Sequence, residues 1–269
     1  MKSDISRRNF TAILASILAA GGAGVMSPAT QGQSGEELHD MEGAPEEWTG
    51  GEHIYMLAYP GMTALDLVGP QYMFASLMGA KVEVVAKSRT PIITDTGLTI
   101  MPDATFSDLP AQLTVFFAPG GTVGTLKAIQ DAETVEFVRA AGSSSQFITS
   151  VCTGSLILGK AGLLNGYNAT SHWLTLPLLS KVGATPVNNR VVSDRNRITG
   201  AGVSAGLDFG LQMVSEFRGV DYAETVQLLC EYSPEPPLNS GSPETAKDHQ
   251  IALLRNMLSG FLDEVDNEI

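Results

Sequence analysis

Cysteine is scarce in this chain of 269 residues, which carries only Cys152 and Cys230. Two cysteines exclude a fold built on a disulfide framework, and a chain of this length can bury a sufficient core without one. Basic residues are also few. There are 16 Lys and Arg against 29 Asp and Glu, a formal net charge of −13. So acidic a surface repels phosphate backbones, and nucleic acid is not an expected partner. Histidine is limited to four scattered positions, and no spacing of Cys, His and carboxylate resembles a metal site. Neither a metal nor a cofactor is expected. No internal repeat is visible, and no apolar run reaches the roughly 20 residues that a bilayer-spanning helix needs.

The nearest approach to such a run lies at the start. Ser6-Arg7-Arg8-Asn9-Phe10 precedes an Ala- and Gly-rich apolar stretch at residues 12–25. This reads as a twin-arginine export signal rather than a stable membrane anchor. Ser27 and Ala29 have the spacing that signal peptidases accept, so residues 1–29 are expected to be removed and the chain exported, already folded, to the periplasm or beyond. Loss of Lys2, Arg7 and Arg8 with Asp4 leaves the rest more acidic still. Residues 30–51 are rich in Gly, Ser, Gln and acids without a hydrophobic period, which predicts a disordered linker. Residues 52–232 are read as the catalytic domain, and residues 233–269 as a Pro- and Ser-rich segment with a C-terminal helix at 251–264.

Within the domain, short apolar runs alternate with helical patterns. Strands are expected at 53–59, 81–86, 113–118, 146–151 and 197–199, each ending near Gly or Pro. Helices are expected at 64–78, 132–141, 154–161 and 203–217, and Asp95-Thr96-Gly97 looks like a hairpin turn. Continuous apolar strands alternating with helices predict an α/β fold. Its mostly parallel sheet is covered by helices on both faces and works at the carboxyl ends of its strands.

At those ends lie the residues with chemistry. The run from Phe147 to Val151 delivers Cys152 to a strand end, and Thr153-Gly154-Ser155 opens a helix, an outline of a nucleophile elbow. A cysteine at a helix N-terminus is expected to have a lowered pKa. A Cys152–Cys230 disulfide is the plain alternative, but the elbow and the helical setting of Cys230 argue against it. Gly120 and Gly121 follow another strand end and could offer backbone amides to an anion or oxyanion. Asp66, flanked by Leu65 and Leu67 after the first strand, is either a helix-terminal acid or a proton-transfer group beside the thiol, and the second reading is preferred. His172 stands either as a partner of the thiol or as a packed residue before a helix.

Asp66-Leu67-Val68-Gly69-Pro70, Ala118-Pro119-Gly120-Gly121, Ser150-Val151-Cys152-Thr153-Gly154, Ala169-Thr170-Ser171-His172-Trp173 and the run from Thr199 to Asp208 together resemble the ThiJ/PfpI family. The resemblance implies a flavodoxin-like three-layer sandwich, a cysteine elbow and a homodimer. An aspartate in the first loop, Asp66, with Thr153 after the cysteine, and the tail from Glu231 to Pro237 with Ser240-Gly241-Ser242-Pro243, are similar to the branch of that family that hydrates isonitriles. That branch implies addition of Cys152 to the isonitrile carbon with Asp66 managing the proton. Water, helped by Asp66 and the Thr153 hydroxyl, then releases an N-substituted formamide. Two rivals stand beside it, another thiol-dependent hydrolase or lyase acting on small amide or carbonyl compounds, and a non-enzymatic oxidant-sensing stress protein.

Overall fold

The computed structural model describes residues 45–269, so the export signal and most of the expected linker lie outside the described residues. The strands, in chain order, are β1 (His53–Leu57), β2 (Lys81–Ala86), β3 (Ile92–Ile93), β4 (Thr99–Ile100), β5 (Ala104–Thr105), β6 (Leu113–Ala118), β7 (Ser145–Val151), β8 (Asn168–Ala169), β9 (Thr185–Pro186), β10 (Val191–Asp194) and β11 (Arg197–Gly200). Seven of them form one sheet in the order β10-β11-β7-β6-β1-β2-β5. All neighbours in it run parallel except β10, which pairs antiparallel with β11 at the edge.

The helices are α1 (Ala64–Ala75), α2 (Val123–Gln130), α3 (Ala132–Ser143), α4 (Gly154–Lys160), α5 (Ala205–Leu229), α6 (Asp248–Met257) and α7 (Ser259–Glu268). Phe116 and Phe117 show why both faces of the sheet must be covered. Successive strand residues point to opposite faces, yet both of these are fully buried. Phe117 meets Phe74 of α1 and Phe209 of α5, with ring centroids 6.4 and 5.6 Å away. Phe116 meets Phe137 of α3 on the other side at 6.0 Å. Each such ring is worth about 1.5–3 kcal/mol in apolar burial. The result is the parallel, doubly covered α/β sheet that the alternation of elements predicts, and the flavodoxin-like three-layer sandwich that the family resemblance implies.

Small residues set how closely α1 and α5 approach. A Cβ on Gly210 would lie 2.6 Å from the Met73 side chain, and one on Gly206 would lie 3.0 Å from Pro70. Pro70 carries no N–H, so the helix cannot return a bond to the Asp66 carbonyl four residues earlier. The polypeptide around Asp66 is held instead by packing and by the loop after β6.

Several expectations needed correction. The helical stretch read at 203–217 and the one leading up to Cys230 both stand within α5, which is two helices meeting at a kink at Gly219, where φ is 80° and ψ 172°. The single C-terminal helix is two, broken at Leu258, where Ser259-Gly260 supplies two poor helix formers. Of these two, α7 docks on the domain, burying Val265 and pairing Glu268 with Lys160. The linker does not extend to residue 51 as unstructured chain. Glu46–Trp48 form a 3-10 turn, Trp48 packs edge-on against Tyr222 at 4.9 Å, and the nearly buried Arg218 guanidinium binds both oxygens of Glu52 at 2.6 Å. The hairpin around Gly97 is present as β3 and β4.

Candidate active site

Parallel pairing brings four loops to one end of the sheet. Register places Gly200 of β11 opposite Val151 of β7, and the next amide, of Cys152, donates to both the Gly200 and Ala201 carbonyls, at 3.1 and 2.7 Å. Cys152 itself has φ 57°, the left-handed conformation that costs a non-glycine residue of order 1 kcal/mol or more. That conformation is the elbow. Ser155 and Ser171 hydroxyls both donate to the Cys152 carbonyl at 3.1 Å and hold it. Gly154 is required next, since a Cβ there would lie 2.1 Å from the Ala118 carbonyl oxygen.

Asp66, in the first turn of α1, is fully buried. Its Oδ2 accepts the Gly120 N–H at 3.0 Å, while Oδ1 has no partner in hydrogen-bond geometry. The Cys152 thiol is close enough to couple the two titrations without meeting that geometry. Burial raises the Asp66 carboxyl to about 7; the thiol and the Gly120 amide oppose that rise, and Asp95 adds to it. Burial also pushes the Cys152 thiol well above its ordinary value, and the Asp66 charge adds to this. The sequence reading of a lowered thiol pKa is therefore corrected. Desolvation outweighs what the backbone N–H groups of Thr153 and Val203, both facing the sulfur, return. The pair rests near neutrality as a thiol beside a carboxyl poised to lose its proton.

The roles expected of Gly120, Gly121 and Thr153 change as well. The Gly120 amide is used by Asp66, and the Gly121 amide donates to Thr153 Oγ1 at 2.9 Å, so neither is free for an oxyanion. The Thr153 hydroxyl donates to the Gly121 carbonyl at 2.6 Å and also meets the Thr125 hydroxyl at 2.8 Å, which leaves it no capacity to assist a water. Tyr59 extends this chain, reaching Thr125 at 3.1 Å and the Pro119 carbonyl at 2.8 Å. Together these groups position the Gly120-Gly121 turn. A Cβ on Gly120 would lie 2.6–2.7 Å from Thr153 and Asp66, so only glycine fits between them.

His172 is not bonded to the thiol. Its Nδ1 accepts the Leu174 N–H at 3.3 Å, its ring lies against Gly202, and burial lowers its pKa. Of its two sequence readings, the packed one matches this placement. Val203, whose amide faces the sulfur, was not singled out, although the glycine-rich stretch leading into α5 is the signal that marks it. Cys152 and Cys230 are both free, so the disulfide alternative is not realised. Among the described residues no cluster of His, Cys, Asp or Glu could hold a metal, and no helix is long and apolar enough to cross a membrane.

A parallel α/β sandwich with a cysteine on a left-handed elbow and a buried carboxyl facing it defines a cysteine-elbow protein of the flavodoxin-like class. The sequence profile of the DJ-1/PfpI family matches residues 52–216, and the chain belongs to that family. It is 47% identical over 194 residues to an isonitrile hydratase from Pseudomonas putida, covering 72% of this chain and 84% of that protein. A crystal structure of a THiJ/PfpI family protein from Pseudomonas syringae superposes with a TM-score of 0.82 at 52% identity, over 93% of this chain and 98% of that one. Drosophila melanogaster DJ-1beta shares the fold, with a TM-score of 0.62 at 20% identity over 69% of this chain and all of that one.

Proposed function

We propose that the protein hydrates an isonitrile to an N-substituted formamide, with Cys152 as nucleophile and Asp66 as the proton-transfer group. The observation that carries the reading is the unpartnered Oδ1 of a buried carboxyl set against the elbow thiol. Ionised Asp66 takes the thiol proton as sulfur bonds to the terminal carbon, and returns it to that carbon to give a thioimidate. Asp66, again ionised, then takes a proton from the attacking water and passes it to the nitrogen. As collapse breaks the C–S bond, the hydroxyl gives its proton to Asp66, which returns it to sulfur. The sum is one isonitrile plus one water giving one formamide, with no redox change and no cofactor.

The similarity to a curated isonitrile hydratase supports this chemistry over that of another thiol hydrolase. An oxidant sensor wants an exposed thiol of low pKa, whereas Cys152 is 5% exposed with a raised one. A homodimer, export by the twin-arginine route and a periplasmic or secreted location belong to the same proposal. They rest on the family resemblance and on Arg7-Arg8.

The test is purified protein against a panel of isonitriles, small amides and dicarbonyls, with formamide followed by mass spectrometry. Formamide from an isonitrile, abolished in Cys152→Ser and retained in Cys230→Ser, is the expected result. Turnover surviving in Cys152→Ser, or turnover of amides or dicarbonyls alone, overturns the proposal.

A further inference from the structure

The hairpin of β3 and β4 stands outside the main sheet, with only the pairs Ile92–Ile100 and Ile93–Thr99. A ribbon that short has little stability of its own. It is held by the loop that precedes α1. The Gly61 amide donates to the Ile93 carbonyl at 2.8 Å, the Asp95 amide to the Met62 carbonyl at 2.9 Å, and the Thr63 hydroxyl to Asp95 Oδ2 at 2.7 Å. Gly97, left-handed at φ 87°, closes the turn that carries Asp95 there.

Thr63 immediately precedes α1, and Asp66 is the third residue of that helix. Thr63-Ala64-Leu65-Asp66 therefore has the spacing of a capping box, in which the hydroxyl takes the amide of the third helical residue and the acid reaches back to the amide of the first residue of the box. The chain contains a closed example at Thr105-Phe106-Ser107-Asp108, where Asp108 Oδ2 lies 2.8 Å from both the amide and the hydroxyl of Thr105. At Thr63 the box is open. Its hydroxyl goes to Asp95 and caps nothing, its amide donates to the Gly120 carbonyl at 2.9 Å, and the Asp66 carboxyl takes the Gly120 amide instead. The Thr105 hydroxyl has no such outside acceptor among the described residues and meets only Ser107 and Asp108.

We propose that Asp95 is a positioning residue of the site: by holding the Thr63 hydroxyl it keeps this segment from closing as a capping box, and so keeps the Asp66 carboxyl on the Gly120 amide and beside the thiol. The proposal rests on the proton-transfer role given to Asp66 above. Without Asp95, Thr63 turns its hydroxyl to the start of α1, and Asp66 swings back to the Thr63 amide, away from sulfur. The Asp95 charge also helps to raise the Asp66 pKa. The other titratable groups that act on Asp66 are the Cys152 thiol and the buried Tyr59 phenol. From α5, the residues turned to α1 are Gly206, Leu207 and Gly210, none of them charged.

The experiment measures kcat/KM with cyclohexyl isonitrile and, on the same samples, the NMR titration of the Asp66 carboxyl carbon, assigned by its loss in Asp66→Asn. Asp95→Ala is expected to lower kcat/KM by about tenfold or more. It should also move the Asp66 titration from about 7 down towards the ordinary carboxylate range, because the carboxyl leaves its buried position. Asp95→Asn removes the charge but keeps an acceptor for Thr63, and should restore most of the activity. In a Thr63→Val background, where no hydroxyl can close the box, Asp95→Ala should change kcat/KM by less than about twofold further. An Asp66 titration unmoved by Asp95→Ala, or the same loss of kcat/KM with and without the Thr63 hydroxyl, overturns the proposal.

If the wild-type protein hydrates no isonitrile, the reaction assigned to the site has failed, and the titration alone decides the role of Asp95. A larger fall in Asp95→Ala than in Asp95→Asn supports it, since both variants lose the charge and only one loses the Thr63 bond. Equal falls, or none, sink it.

Discussion

Replacing Asp66 by Asn should make the protein more stable above neutral pH while removing its activity. A carboxyl whose folded pKa lies near 7, against an ordinary 3.8, binds its proton more tightly in the folded chain than in the unfolded one. Its cost to stability is absent below about pH 4, grows as pH rises towards 7, and is constant above that. At 1.36 kcal/mol per pKa unit the full cost has a ceiling of about 4 kcal/mol. Asn keeps an oxygen for the Gly120 N–H but turns an amide NH₂ towards the thiol, which forfeits about 1–3 kcal/mol. A net gain of roughly 1–3 kcal/mol is expected near pH 8.

The pH dependence is the cleaner quantity, because the shape of the substitution cancels between conditions. From about pH 4.5 to pH 8 the Asp66→Asn advantage should grow by about 3 kcal/mol, read from urea denaturation of both proteins at each pH. Over the same samples kcat should fall by about 10²- to 10⁴-fold. A stability difference that is the same at both pH values refutes the raised carboxyl, and near wild-type kcat removes Asp66 from the chemistry.

Wild-type kcat/KM should rise with pH through about 7, as Asp66 loses the proton that blocks it; a profile flat from pH 5 to 8 contradicts this. Thr153→Val strands the Gly121 amide and carbonyl, so a loss of about 1–3 kcal/mol in thermal denaturation is expected, together with a drop in kcat that Thr153→Ser restores. Gly120→Ala forces a methyl group into the Asp66–Thr153 contact and should cost about 1–3 kcal/mol by overpacking, with activity lost in the folded fraction. A reporter fused to residues 1–35 should be exported, and export should stop when Arg7 and Arg8 are both replaced by Lys; undiminished export removes the twin-arginine reading.

Much of this site was legible because its chemistry sits where patterns change. Cys152 ends a β-branched and aromatic run and is followed within two residues by glycine, so strand, turn and helix onset announce the elbow. Asp66 is conspicuous as an acid among leucines. What could not be read was the balance of forces on them. A helix start argues for an acidic thiol, but the sign is reversed by burial in the folded chain and by the charge of Asp66, which lies far from Cys152 in sequence. The Gly120 and Gly121 amides were misjudged for a related reason, since their partners Asp66 and Thr153 lie 54 and 32 residues away. Among the elements, β10 escaped because an edge strand of four residues has only Val192 buried, and α2 because Gly124 and Thr125 mask its period.

The left-handed turn at Cys152 also bears on how the chain acquires its chemistry over time. It is maintained by the carbonyls of Gly200 and Ala201 and by the Ser171 hydroxyl, all from later parts of the sequence, together with the nearby Ser155 hydroxyl. Parallel pairings of this kind close long loops before they gain contacts, so they form late in folding. Until then Cys152 is an ordinary solvated thiol, free to react with oxidants or with Cys230. Once the sheet closes it is hidden and needs Asp66 to react. The accessibility of this one sulfur to a brief pulse of alkylating reagent is therefore a clock for completion of the fold.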